Sequence, residues 1–558
     1  MLPMRFFTAS TRKVTLGLCL LGGTALFAFN SPSERYFDIA KNLDIFATLY
    51  KELNTYYVDE VNPNKAIKTG IDAMLGSLDP YTNYIPEDEI EDYRFMTTGQ
   101  YGGIGAVIAK RKDHTLVIMP NQGFPADKAG LKIGDEILEI DGIDLVKKNN
   151  GDVSKLLKGQ AGTVVKLKIK RFGKPDPIML EITRARIKVD NVPTYALVTP
   201  EIGYVKLSDF MSEAGKDVRK AVVELKEKGA KKIILDLRDN PGGLLNEAVN
   251  VCNLFVPKDK EVVTTKGKVA EWNKTYRALN PPLDTDIPIV VLTNSRSASA
   301  SEIVSGTLQD YDRGVLIGQR TFGKGLVQAT RPLTYNSQLK ITTAKYYIPS
   351  GRCIQAIDYS HRNEDGSVGK IPDSLKQTFK TVSGRLVYDG GGVAPDIVTE
   401  KQTVAPITIG IESKGLFFDY ATEYYWSHPT IAAPQAFQLT NAEMDAFYKW
   451  LADKDFDYTT KVEASIKDLE THAKKEQSYD AIKDQLESLR KKLSHSKEQD
   501  LVKFREEVKE VLEANIVSRY YFERGALEAG FDNDTDIQAA VKLLNNPAEY
   551  GAILKGRK

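Results

Sequence analysis

Three segments of the 558-residue sequence hold residue types that could carry out acyl transfer. A serine-rich loop at 294–302 precedes a stretch with helical character, where free N–H groups and the helix dipole favour a developing negative charge. Segment 234–243 is an apolar stretch that runs into Pro241 and two glycines, and segment 318–328 is rich in glycine. A serine of the loop would be the nucleophile.

The base for such a serine would not be histidine, because no histidine lies near these segments and no serine lies in a Gly-x-Ser-x-Gly motif. Lys324 is the alternative, since a lysine shielded from water has a lowered pKa and can accept a proton. If 324–328 is extended, Lys324, Leu326 and Gln328 point to one face, so that the lysine and the glutamine could converge on one site. The plain alternative is a loop that begins a helix, beside a surface lysine.

Segment 318–325 also comes close to the phosphate-binding motif Gly-x-x-x-x-Gly-Lys-Ser/Thr. Gly325 stands where that motif requires a hydroxyl, and the residues after it are strand-like rather than helical. A nucleotide-dependent function is therefore disfavoured.

The elements that must position these segments appear as changes of pattern along the chain. Helical periodicity runs through 32–76, short strands follow in 91–186, and the sequence beyond about 400 is helical and highly charged. From about 190, strands alternate with helices, which predicts an α/β core with a largely parallel sheet. The strands predicted for this core are 203–208, 232–237, 287–293 and 315–318.

Composition excludes several classes of protein. The 76 Lys and Arg residues balance 75 Asp and Glu residues, so no general attraction to nucleic acid is expected. The contents of 42% apolar and 27% charged residues are ordinary for a folded domain, which disfavours collagen, disorder and a polytopic membrane protein. Three cysteines without metal-binding spacing and five histidines outside any His-Glu-x-x-His motif disfavour a zinc protease.

The N-terminus is typical of an export signal. Arg5, Arg12 and Lys13 precede an apolar run at 14–29. We expect an exported, periplasmic protein of the cell envelope, with residues 1–30 either cleaved as a signal peptide or kept as an anchor in the inner membrane. A buried N-terminal helix is the alternative.

Taken together, the motifs resemble those of the carboxyl-terminal processing peptidases, or tail-specific proteases, which are serine endopeptidases with a Ser/Lys dyad and a PDZ domain. The resemblance covers roughly residues 36–400. It rests on seven motifs in order, namely Leu78–Tyr81, Tyr101–Gly105, Ala129–Asp135, Leu235–Gly243, Ser297–Glu302, Thr321–Gly325 and Gly391–Asp396.

The resemblance implies a role for each matching residue. Ser299 would be the nucleophile, Lys324 the general base, and Gln328 the residue that orients the lysine. The backbone N–H groups of Gly243 and Ala300 would bind the oxyanion. Ser297 and Ser301 flank the nucleophile and are the obvious alternatives to it, although Ser301 also fits the N-terminal cap of a helix. No metal or organic cofactor is implied.

The region 91–186 resembles the PDZ domain inserted in these proteases. Such a domain adds the C-terminus of a substrate protein as a strand and holds its carboxylate on backbone N–H groups, here those of Gly102, Gly103, Ile104 and Gly105. The alternative is that these glycines only form a tight turn.

The resemblance thus implies a multidomain α/β protein. Its expected parts are a signal or anchor at 1–30, an N-terminal helical region at 31–90, the PDZ domain at 91–186, the Ser/Lys peptidase core at 187–400 and a C-terminal helical domain at 401–558.

The function expected is that of an exported endopeptidase acting on C-termini of envelope proteins. A catalytically inactive PDZ scaffold is the rival class. The sequence leaves open an adaptor or activating peptide, a homo-oligomer and the role of the C-terminal helices.

Overall fold

The computed structural model describes residues 32–401, 403–493 and 497–556. They divide between two compact units, Met1–Tyr84 and Ile85–Lys558. The predicted export signal lies outside the described residues. Among the residues described, no helix is long and apolar enough to cross a membrane.

The first unit contains the helices α1 (Pro32–Tyr56) and α2 (Pro63–Gly76), and its last residues open the short strand β1 (Asn83–Ile85). The helical prediction for 32–76 is confirmed, but as two helices. The second helix begins afresh because Asn62 accepts a hydrogen bond from the N–H of Lys65 and Pro63 occupies the first helical position.

The β-rich domain follows the helix α3 (Ile90–Thr98). Its strands are β2 (Gln100–Gly103), β3 (Ala106–Arg111), β4 (His114–Pro120), β5 (Glu136–Ile140), β6 (Ile143–Asp144), β7 (Val164–Lys170), β8 (Ile178–Thr183) and β9 (Ala185–Lys188), and its helices are α4 (Pro125–Lys128) and α5 (Asn150–Leu157). The main sheet has the order β3-β4-β5-β7-β8, with β6 beside β5, while β2 pairs with β9. Strand β3 therefore lies at an edge of its sheet.

The next region holds both an α/β sheet and an antiparallel sheet. Its strands are β10 (Thr194–Thr199), β11 (Ile202–Lys206), β12 (Lys232–Asp236), β13 (Glu261–Gly267), β14 (Lys274–Arg277), β15 (Ile289–Thr293), β16 (Val315–Gly318), β17 (Leu326–Pro332), β18 (Gln338–Tyr347), β19 (Ile357–Arg362), β20 (Val368–Lys370), β21 (Thr378–Lys380), β22 (Leu386–Tyr388) and β23 (Ile397–Val398). Its helices are α6 (Ala214–Glu227), α7 (Leu245–Phe255) and α8 (Ala300–Asp310).

The central sheet has six strands in the order β10-β11-β12-β15-β16-β23, all parallel except β10. Helices α6, α7 and α8 cover one face through Val218, Val251 and Ile303, which pack on Leu235 and Val291 of the sheet. The predicted α/β core is confirmed, and its strands lie within two residues of the predicted bounds.

The sequence did not predict the second sheet, in which β17, β18, β13 and β14 are antiparallel neighbours. Strand β17 begins at Leu326, so Lys324 precedes it, and the pairing with β18 shifts register between Val327 and Gln328. The extra residue at this shift, Thr343, lies on β18, so β17 alternates from Leu326 onwards and only Lys324 lies outside the strand.

Helices make up the C-terminal part, as expected. They are α9 (Pro406–Ser413), α10 (Leu416–Ser427), α11 (Asn441–Leu451), α12 (Lys461–Lys475), α13 (Tyr479–Leu493), α14 (Lys497–Lys503), α15 (Arg505–Ala529), α16 (Thr535–Leu544) and α17 (Pro547–Leu554). Phe531, Ile537 and Leu543 pack on Ile234 and Val290, which lie on the second face of the central sheet. The two buried faces explain why these parallel strands read as continuous apolar runs.

Candidate active site

The carboxyl ends of β12, β15 and β16 meet at one edge of the central sheet, because the three strands are parallel neighbours. Each of the three chemistry-bearing segments leaves one of these strands at that edge. In open α/β sheets this edge is where sites form, since the loops there converge. The structure thus brings together segments that are far apart in the sequence.

Ser299 stands at the N-cap of α8 in a backbone conformation that is rare for any residue other than glycine, with φ 56° and ψ −112°. Such a conformation costs about 1–3 kcal/mol and persists where the surroundings enforce it. The Ser299 N–H donates to Glu302 Oε2 at 2.8 Å, and the Tyr346 hydroxyl donates to the Ser299 carbonyl at 3.1 Å. The half-buried serine is therefore held at both its N–H group and its carbonyl group.

The two neighbouring serines are placed differently. Ser297 and Ser301 are both 0% exposed, and their hydroxyls donate to the carbonyls of Leu237 and Asn240 at 2.8 and 2.9 Å. Ser301 lies inside the first turn of α8, so the expected N-cap position belongs to Ser299 instead. Both flanking hydroxyls tie the serine-rich loop to the turn after β12.

Glu302 is a site residue that the sequence analysis missed. Its buried carboxylate accepts hydrogen bonds from the N–H groups of Ser299, Gly323 and Lys324 and from the Thr321 hydroxyl, at 2.5–2.9 Å. Burial raises the pKa of Glu302 to about 7, against the lowering effect of these hydrogen bonds. The Ser-x-x-Glu spacing of a capping box was the signal for it in the sequence.

Lys324 is brought to the same carboxylate as Ser299. Its N–H donates to Glu302 Oε2 at 2.9 Å, the oxygen that also accepts from Ser299. The backbone nitrogens of Ser299 and Lys324 therefore both lie within 2.9 Å of one carboxylate oxygen. Gln328 follows on β17, where its Nε2 donates to Thr342 Oγ1 of β18 at 3.1 Å.

The N–H groups of Gly243 and Ala300 donate to no acceptor in the described part of the chain. A Cβ added to the preceding Gly242 would lie 2.8 Å from the Ser299 Cβ and 2.9 Å from the Ala300 nitrogen, so the two loops touch. Asn240 shapes this turn, because its Oδ1 accepts from the Gly242 N–H at 2.8 Å. Two donors beside a serine at a helix N-terminus can stabilise an oxyanion.

The four residues expected to bind a peptide carboxylate divide into two pairs. Gly102 and Gly103 belong to β2 and pair with β9, whereas Ile104 and Gly105 form the link to β3. No hydrogen bond from the N–H of Ile104 or Gly105 is found among the described residues. A Cβ on Gly102 would lie 2.1 Å from the Gly159 carbonyl oxygen, so this glycine also has a packing role.

The sequence matches known protein families along most of its length. Residues 201–361 match peptidase family S41, 120–171 match a PDZ domain, and 407–544 match a C-terminal helical domain described for probable PDZ-proteases. A carboxy-terminal-processing protease of Bartonella bacilliformis is 38% identical over 321 residues, which cover 57% of this chain and 73% of that protein. The chain belongs to the carboxy-terminal-processing proteases of family S41.

A second protease and one solved structure are also similar to this chain. A probable CtpA-like serine protease of Staphylococcus aureus is 33% identical over 385 residues, covering 68% of this chain and 75% of that protein. The solved structure of a photosystem II D1 C-terminal processing protease is 27% identical, with a TM-score of 0.34, and covers 64% of this chain and 92% of that one. The resemblance and the multidomain α/β fold with a PDZ domain are confirmed.

Proposed function

We propose that this serine protease uses Ser299 as nucleophile and Lys324 as general base, with Gly243 and Ala300 as oxyanion donors. The observation that carries the proposal is the Glu302 carboxylate, which holds the backbone of Ser299 and that of Lys324 on one oxygen. Ser299 is also the only serine of its loop segment 297–301 whose hydroxyl is not committed to a buried backbone carbonyl.

The proposed reaction follows from these positions. The Ser299 hydroxyl attacks the peptide carbonyl carbon while the neutral Lys324 amine takes its proton. The oxyanion that forms accepts hydrogen bonds from the N–H groups of Gly243 and Ala300. The Lys324 ammonium then protonates the leaving amine, and water attacks the acyl-enzyme with Lys324 again as base. Gln328 donates through Nε2 to Thr342, which leaves its carbonyl oxygen to accept from the lysine.

The PDZ domain supplies substrate recognition in this proposal. Strand β3 lies at the edge of its sheet, so the C-terminal residues of a substrate protein can pair with it as an added strand. The N–H groups of Ile104 and Gly105, just before β3, would bind the terminal carboxylate. Because the apolar stretch at 14–29 is typical of an export signal, we also propose that the enzyme is exported and acts in the cell envelope.

The proposal is tested with a peptide substrate that ends in apolar residues and a free carboxylate. Ser299→Ala and Lys324→Ala should each abolish cleavage, whereas Ser301→Ala should keep part of the activity and its labelling by a fluorophosphonate. The same peptide with a C-terminal amide should be cleaved with a roughly tenfold lower kcat/KM, because it lacks the carboxylate.

If Ser299→Ala still cleaves the peptide and Ser301→Ala does not, the nucleophile is Ser301 rather than Ser299. A wild-type protein that binds the peptide without cutting it would instead be the inactive PDZ scaffold. Equal kcat/KM for the free and amidated peptides would remove carboxylate recognition from the proposal and leave the chemistry intact.

A further inference from the structure

Arg238, two residues after the end of β12, is bonded to carboxylates from two distant parts of the chain. Its Nη2 donates to Asp236 Oδ2 at 2.7 Å, and its Nε lies 3.1 Å from each oxygen of the same carboxylate. The guanidinium also contacts Asp534 at 2.8 Å and Asp536 at 3.0 Å, where α16 begins. One side chain therefore joins the end of β12 to the C-terminal helices.

The inner half of this cluster is buried and hydrogen-bonded. Asp236 is 0% exposed and accepts from the Tyr204 hydroxyl at 2.7 Å. Burial raises the pKa of Asp236, but Arg238 and Lys206 hold it below its usual range, so the carboxyl is ionised. Lys206 Nζ also donates to the Arg238 carbonyl at 2.6 Å. Fork-like pairing of this kind fixes direction as well as distance.

The outer half lies on α16. Asp534 caps this helix by accepting from the N–H groups of Asp536 and Ile537. Asp536 is 6% exposed and its Oδ1 is buried with no hydrogen-bond partner among the described residues. A buried carboxyl oxygen without a donor costs stability, and such costs concentrate at positions that function constrains.

The turn that starts at Arg238 leads directly to the oxyanion donor. Asp239 is held to the serine-rich loop by Asn294 and Arg296, at 2.7 and 2.6 Å. Asn240 then accepts from the Ala298 N–H at 3.0 Å and binds the Gly242 N–H. The path from Arg238 to Gly243 is thus hydrogen-bonded to the serine-rich loop at Asp239 and Asn240.

We infer that Arg238, Asp534 and Asp536 form a clamp by which the C-terminal helices position the oxyanion donor Gly243. The residues of the clamp are positioning residues, since they act through the backbone of 238–243 and touch no reacting atom. The inference rests on the proposed function, and it gives the C-terminal helices an indirect part in catalysis, through the position of Gly243. Its signature is a loss of transition-state binding without a loss of substrate binding.

The test is the full-length double variant Asp534→Asn/Asp536→Asn. Asparagine caps a helix as well as aspartate does, so α16 should persist while the attraction to Arg238 is lost. The matched control is Asp532→Asn, an exposed carboxylate on the same turn. For a short peptide, kcat should fall at least tenfold in the double variant while KM stays within twofold and the control matches the wild type.

The affinity for a peptide boronic acid is the second measurement, because a clamp with a merely structural role would leave this affinity unchanged. The boronic acid forms a tetrahedral adduct on a serine, so its affinity should fall in parallel with kcat, while an uncleavable peptide should bind as before. The melting temperature of the double variant should stay within a few degrees of the wild-type value. A kcat equal to that of the wild type, or a boronate affinity that does not change, would overturn the clamp.

If the double variant does not fold, Arg238→Lys replaces it in the test. Lysine keeps the charge but loses the fork, so it should show the same split between kcat and KM. Failure of the proposed function is recognised separately, because wild-type protein would then neither be labelled by a fluorophosphonate nor bind the boronate at Ser299.

Discussion

At the scale of single residues, the candidate site is organised around a carboxylate rather than around the serine itself. Glu302 has four donors on two oxygens, three of them backbone N–H groups that belong to the serine-rich loop and to the segment of Lys324. Backbone donors cannot be removed by side-chain mutation. The carboxylate and the Thr321 hydroxyl are therefore the parts of this connection that a mutation can exchange.

We expect Glu302→Gln to fold and to lose activity roughly 10- to 100-fold, because an amide nitrogen would face N–H donors that it cannot satisfy. Glu271→Gln, on the surface, is the control and should match the wild type. Peptide cleavage by both variants measures the effect. Full activity of Glu302→Gln would show that its hydrogen bonds do not align the site.

The same variant should change how stability depends on pH. The pKa of Glu302 is raised from 4.5 to about 7 in the folded protein, so the folded state binds the proton more tightly than the unfolded chain. The stability that this contributes is present at low pH and is lost as the pH rises through about 7. Relative to Glu302→Gln, the wild type should lose up to about 3 kcal/mol between pH 4.5 and 8. Urea unfolding of both proteins measures this change in the free energy of unfolding. Parallel pH profiles of the two proteins would contradict the prediction.

How far the residues could be predicted depends on what each one contributes. Ser299 and Lys324 stand in motifs whose residue types suggest chemistry, and the parallel strands explain why these motifs meet. Glu302 escaped notice because a glutamate three residues after a serine is common at helix starts. Its bonds to Thr321 and Gly323 come from a segment that no local pattern connects to it.

At the scale of elements, the turn after β12 depends on a close approach between backbones. Gly243 has φ 148°, and an added Cβ would lie 2.5 Å from the Phe210 carbonyl oxygen. The Phe210 N–H donates to the Gly242 carbonyl and the Leu244 N–H donates to the Phe210 carbonyl, so this contact sets the direction of the N–H between them. A side chain at 243 must displace one of the two segments.

We therefore expect Gly243→Ala to lower kcat by roughly 10²- to 10³-fold, the usual effect of losing one oxyanion donor. Gly229→Ala is the matched control, because Gly229 also has a positive φ (107°) but an added Cβ would lie 3.4 Å from its nearest neighbour, the Pro200 carbonyl oxygen. Both variants are destabilised by backbone strain, but only Gly243→Ala should displace the N–H group of residue 243. Similar kcat values in the two variants would mean that Gly243 supplies no oxyanion contact.

The elements were predictable to very different degrees. The apolar strands of the central sheet stand out because both of their faces are buried, and helix α8 begins within the run of small residues, at Ala300. The antiparallel sheet was missed, since β17 and β18 are rich in Thr, Lys and Tyr and are only half-buried. Its strands are defined by pairing between residues far apart in sequence, which local periodicity does not contain.

At the scale of the whole molecule, the C-terminal helices are a layer of the peptidase core as well as a domain of their own. Leu543 is 2% exposed and belongs to the cluster on the second face of the central sheet. We expect Leu543→Ala to lower the free energy of unfolding of this core by about 2–5 kcal/mol. Leu489→Ala, where the leucine is 45% exposed, should change it by less than about 0.5 kcal/mol.

Denaturant unfolding followed by fluorophosphonate labelling of Ser299 reports on the core alone. The labelled fraction should fall at a lower denaturant concentration in Leu543→Ala than in the other two proteins. Equal midpoints would mean that α16 can detach without disturbing the sheet.

This layered arrangement also sets an order of events during biosynthesis. A chain is made from its N-terminus, so the strands that carry the three chemistry-bearing segments exist well before residues 531–554 do. Until those residues arrive, one face of the sheet is uncovered and Arg238 has no partner on α16. On the clamp inferred above, a nascent chain that has not yet reached residue 531 would therefore cut peptides poorly, and activity would rise as residues 531–554 pack on the sheet.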